Sequence, residues 1–153
     1  MNALNQYIEL YDASRHDIDC HSAEVLNALR PEAADILRTA TLPRQGADNY
    51  ENCDLEQMLA PDFGIDLNDL FPIPANMPPM PEGVLLGSLR TIAQSHPELV
   101  SKYYGHAADI HNPVVALNTM LVRDGLMLYV PKGVALKSVS YTHLRAHETG
   151  AYL

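Results

Sequence analysis

His143, His147 and Glu148 stand where a helix would bring two imidazoles onto one face beside a carboxylate, side chains able to hold zinc. The zinc-protease pattern with this histidine spacing keeps its general-base glutamate between the two rings. Here Leu144, Arg145 and Ala146 fill that gap, and no third ligand follows before Leu153. A solvated polar tail explains the group better, since two histidines four apart carry little information alone. A metal-dependent enzyme using His143 and His147 is kept as the weaker alternative.

His16, Asp17, Asp19, Cys20 and His21 form a second group of metal-capable side chains. Asp17 and Asp19 flank Ile18, so on a helix they diverge. A connection between helices with capping carboxylates accounts for them. His96, His106 and His111 are scattered beside a proline, a glycine or a helix end, and read as surface or capping residues. Ser88 in LLGSLR lacks the second glycine of a nucleophile elbow. No phosphate-binding G-x-x-x-x-G-K-[ST] loop occurs. Tyr103 and Tyr104 have no basic surround for stacking on a base and are expected to pack against Leu99. No catalytic, cofactor-binding or metal residue is assigned.

The elements that would position such residues begin with helices. Leu4, Tyr7, Ile8 and Tyr11 recur at helical spacing within 3–14. Ser22 is placed as the N-cap of a second helix carrying Val25, Leu26 and Leu29. Pro31 suits the first turn of the next helix, which carries Ile36 and Leu37. Asp54 is placed to cap a short helix that Pro61 ends. Phe71–Pro81 holds five of the eleven prolines and reads as a linker. Beyond it, Gly83–Leu89 reads as a strand, Ser95 and Pro97 as cap and first turn of a helix, and 112–121 as another helix. Leu126–Val130 then forms a strand between turns at Arg123–Gly125 and Pro131–Gly133, and Val134 opens a further strand. No internal repeat is read from the sequence.

With 153 residues, 47% hydrophobic and 19% charged, the chain is long enough to bury a core. A net charge of -9 argues against partners that need a basic face, nucleic acid and anionic membrane alike. Cys20 and Cys53 are far apart, no secretory leader is read at Met1–Leu4, and no apolar run spans a bilayer. The expectation is a cytoplasmic protein whose isolated cysteines serve as small buried apolar groups rather than ligands.

Three stretches, YENCDLEQMLAPDFGIDL (50–67), PEGVLLGSLRTIAQSHPELVSKYYG (81–105) and VVALNTMLVRDGLMLYVPKGVALK (114–137), together resemble the SufD branch of the SufB/SufD family. HSAEVLNALRPEAADIL (21–37) fits its helical start, so the resemblance covers residues 1–137. It implies an α+β architecture, an N-terminal helical domain leading into the first strands of a right-handed parallel β-helix. It also implies a scaffold role in iron–sulfur cluster assembly, beside a SufB-like subunit and the SufC ATPase. The family's cluster-building, pairing and ATPase-docking segments lie beyond this stretch, so no site residue is carried over. The cluster would be handled by the full complex, with no cofactor bound by this part.

The resulting division is a helical region with its Pro-rich linker at 1–80, a helix and strand region entering the β-helix at 81–139, and a tail at 140–153. SYTHLRAHETG in that tail resembles translated sequencing adapter, and the β pattern collapses after Val139. The expectation is a truncated N-terminal fragment with a non-native end. A helical adaptor whose partner binds the helices of 3–37 is the alternative function.

Overall fold

The computed structural model describes residues 2–48, 50–64 and 80–136. The candidate residues His143, His147 and Glu148, the tail 140–153 and most of the Pro-rich linker lie outside them.

Helix α1 (Ala3–Cys20) starts where Asn2 Oδ1 accepts the Leu4 N–H at 3.0 Å. Its buried stripe of Leu4, Tyr7, Ile8 and Tyr11 continues to Ile18. That last residue explains why the helix outruns the expected end at Ser14. It lies seven residues beyond Tyr11, two helical turns on, and extends the same face into the core. The group from His16 to Cys20 is therefore the last part of a helix rather than a connection.

After α1 the chain makes a single turn, α2 (Glu24–Asn27), whose N-cap is Ala23 with no side-chain bond. Ser22, expected to cap it, is buried and used elsewhere. Helix α3 (Arg30–Thr39) carries Pro31 in its first turn as expected and buries Ala33, Ala34 and Leu37. The small alanines let a neighbouring helix approach closely. A further single turn, α4 (Leu55–Met58), is capped by Asp54 Oδ1, which accepts the Gln57 N–H at 2.9 Å.

Strand β1 (Leu85–Ser88) leads directly into α5 (Leu89–Ser95), then α6 (Pro97–Tyr103), α7 (Pro113–Leu121) and strand β2 (Leu126–Tyr129). Pro97 opens α6 as expected, whereas Ser95 closes α5 and donates to the Thr91 carbonyl instead of capping. Asn112 caps α7 by accepting the Val114 N–H. The two strands pair antiparallel, with Leu85 opposite Tyr129 and Ser88 opposite Leu126. Residues 134–136, expected to open a strand, are outside any strand.

The apolar residues collect into two cores that interleave along the chain. One joins α1, α3 and α7 through Leu4, Tyr7, Ile8, Tyr11, Ile18, Leu37, Ala116 and Met120. The other joins α2, α5, α6 and the sheet through Leu26, Ile92, Ala93, Val100, Leu85 and Met127. Helix α7, late in sequence, thus belongs with the early helices, and the early turn α2 with the later elements. Each fully buried Leu, Ile or Met is worth about 1.5–3 kcal/mol against exposure, so both cores contribute materially to a domain of this size.

The turns flanking the sheet are alike. Pro81-Glu82-Gly83-Val84 precedes β1 and Pro131-Lys132-Gly133-Val134 follows β2. In each the valine N–H donates to the proline carbonyl, at 3.1 and 3.2 Å, and the glycine takes φ +79° and +86°. Positive φ at the third position is the mark of a type II turn, for which glycine is the unstrained choice. A Cβ on Gly83 would stand 3.0 Å from Pro131 Cγ, so the two turns meet at one end of the sheet. The two tetrapeptides share the pattern P-x-G-V, a local turn signature rather than a repeated structural unit.

Candidate functional site

The group at the end of α1 does not assemble a metal centre. His16 Nε2 contacts Cys20 Sγ at 3.6 Å, and His21 Nδ1 lies 2.8 Å from the Asp17 carbonyl oxygen. Asp19 turns the other way, pairing with Arg15 at 3.7 Å and Arg30 at 3.2 Å. Among the described residues no three His, Cys, Asp or Glu side chains are disposed to hold an ion. The rings of His96 and His106 contact Ser95 and the Ser101 carbonyl, and His111 donates its backbone N–H to Asp109. Tyr103 is exposed and its ring lies 6.2 Å from that of Tyr129, while Tyr104 joins the second core. Cys20 and Cys53 are both free thiols, but Cys20 is exposed and Cys53 half-buried, against the expectation of buried apolar groups.

What the fold does bring together is a polar junction around Arg30, which is 0% exposed. Its Nε donates to Asn27 Oδ1 (3.0 Å), Nη1 to the Met120 carbonyl (2.9 Å) and Nη2 to Ser22 Oγ (2.9 Å). Four elements and one loop meet there: α1 through Asp19, the following loop through Ser22, α2 through Asn27, α3 through Arg30 itself, and α7 through Met120. Burial pushes the Arg30 guanidinium below its usual range, and the Asp19 carboxylate opposes that push. An arginine stays protonated through such a shift, so the junction holds a permanent cation. Asp19 Oδ1 is near Arg30 Nε without a hydrogen bond from it, because that N–H is directed at Asn27. The neighbouring Tyr11 hydroxyl is also buried without a partner.

A second joint binds β1 to β2. Ser88 Oγ accepts the Thr91 N–H, capping α5, and its hydroxyl donates to the Asp124 carboxylate at 2.8 Å. Asp124 also accepts the N–H groups of Arg90 and Gly125, at 2.9 and 2.8 Å. The carboxylate therefore fixes the start of α5 against the entrance to β2. Ser88 is thereby a structural hydroxyl, and among the described residues no histidine hydrogen-bonds to it.

Because directly opposed residues of an antiparallel pair share a face, the sheet has an inner face of Leu85, Gly87, Met127 and Tyr129, against the second core. The outer face carries Leu86, Leu126 and Leu128, the last two 54% and 45% exposed. A cleft of about 800 Å³ opens elsewhere, lined by Asn2, Thr41, Arg44, Tyr50, Glu56 and Pro113 among others. Its polar walls are partly spent on the fold: Glu56 accepts the Ala3 N–H at 2.7 Å, and Asn2 donates to the Ala40 carbonyl. The apolar stripe of α1 that an adaptor would offer to a partner is used internally, against α3 and α7.

The described residues form a helix-rich arrangement tied by the Arg30 junction and the Ser88–Asp124 joint, and comparison with known proteins gives it a context. The family model described as SufBD protein N-terminal region matches residues 1–78 and 67–139. An iron–sulfur cluster assembly SufBD family protein of Synechocystis sp. is 34% identical over 74 residues, covering 46% of this chain and 15% of that protein. The chain thus spans a small part of that relative's length. No solved structure matches it.

Proposed function

The chain belongs to the SufBD family, and from that premise we propose that it is the N-terminal part of a SufD-like scaffold subunit in iron–sulfur cluster assembly. Its partners in the complete protein are a SufB-like subunit and a SufC-like ATPase, working in the cytoplasm. The cluster is cargo of the assembled complex, and this part binds no cofactor and performs no catalysis alone. In the complete subunit, the part represented by this chain leads into a right-handed parallel β-helix.

The breadth of the family match carries this reading, since it takes in both the early helices and the strand-bearing part of the chain. The interleaved cores support it as well: they make the early and late elements one support, as the base of a longer subunit requires. No helix among the described residues is long and apolar enough to cross a membrane.

A chimera tests the proposal. Residues 1–139 replace the equivalent region of a SufD-like protein, and the product is expressed in hosts lacking either the SufD-like or the SufB-like subunit. Restored iron–sulfur enzyme activity in the first host alone, with co-purification of SufB-like and SufC-like partners, is the expected result. Rescue of the second host alone would overturn the SufD assignment. A folded chimera that rescues neither and captures no partner would overturn the scaffold reading.

A further inference from the structure

We draw no further inference here: the strongest candidate, the outward face of the two-stranded sheet with Leu86, Leu126 and Leu128, carries nothing because nothing in the structure shows what covers it.

Discussion

Arg30 sits at the first position of α3, where a cation is disfavoured by the helix dipole and where sequence reading expects an exposed side chain. Its burial was illegible for that reason. Its partners at 19, 22, 27 and 120 converge only after the chain has reversed through α2 and α7 has returned. Removing one side of a buried charged junction leaves the remaining groups unpartnered, so Arg30→Ala is expected to cost about 3–5 kcal/mol in urea unfolding. Asp19→Asn should cost less, because Asp19 is 31% exposed and Arg30 keeps its three hydrogen bonds. A loss below about 1 kcal/mol for Arg30→Ala would remove the guanidinium from its organising role. Tyr11 presents the opposite case, a buried hydroxyl with no partner. Tyr11→Phe is expected to leave stability unchanged or raise it by about 1 kcal/mol, since an unsatisfied group is taken away. The same residue bears on alkaline stability. Burial, first among the causes, raises the phenols of Tyr7, Tyr11 and Tyr104 above their ordinary value of 10.0. Below pH 10 both folded and unfolded chains hold these protons, and the stabilising contribution is complete. Above it the unfolded chain releases them first, so stability falls toward the folded-state values, by at most about 1.4 kcal/mol per pH unit per tyrosine. Urea midpoints measured from pH 8 to 11 should decline at the alkaline end, and less steeply in Tyr11→Phe.

At the scale of elements, sequence reading succeeds where the signal is local. Asp54 and Pro31 act within one helical turn, and each does what its position implies. It fails at the end of α1 and at Ser22, where tertiary demand overrides the local cap: Ile18 has a core to enter, and Ser22 has a buried guanidinium to accept. The Arg123-Asp124-Gly125 stretch, expected as a turn, is instead irregular chain between α7 and β2, and its part as a joint was not legible, since its partners Ser88 and Arg90 lie some 35 residues upstream. The carboxylate of Asp124 receives three groups, one hydroxyl and two backbone N–H. Asp124→Ala should therefore cost about 1–3 kcal/mol, the range for leaving buried donors unmade. Hydrogen exchange distinguishes this from a diffuse loss of stability. The amides of Leu89, Arg90 and Thr91 should exchange faster at the start of α5, while those of α1 keep pace with global unfolding. Uniform acceleration across the chain would assign Asp124 no special part in seating α5.

For the molecule as a whole, the question is whether two cores mean two folding units. A two-stranded sheet is marginal in water by itself, and among the described residues only one of its faces is covered. Its persistence depends on Leu85 and Met127 packing with Ile92, Ala93 and Val100, and hence on the second core. That core reaches the first through α2, whose Asn27 holds Arg30, and through Arg30's bond to α7. The division into helix-rich and strand-bearing stretches was visible as a change in sequence texture. The crossing of α7 into the first core was not, because hydrophobic periodicity gives a helix its buried face without naming the partner. If the buried junction couples the cores, damage to either lowers the stability of both. Leu26→Ala, in the second core, and Leu37→Ala, in the first, should each cost about 2–5 kcal/mol. Each variant should still unfold in one transition, with far-ultraviolet circular dichroism and the tyrosine near-ultraviolet signal coinciding. The chain contains no tryptophan, and its eight tyrosines serve as the tertiary probe. A Leu26→Ala protein whose helical signal survives well past the tyrosine transition would establish two separable units. The interleaving would then be a matter of chain path alone.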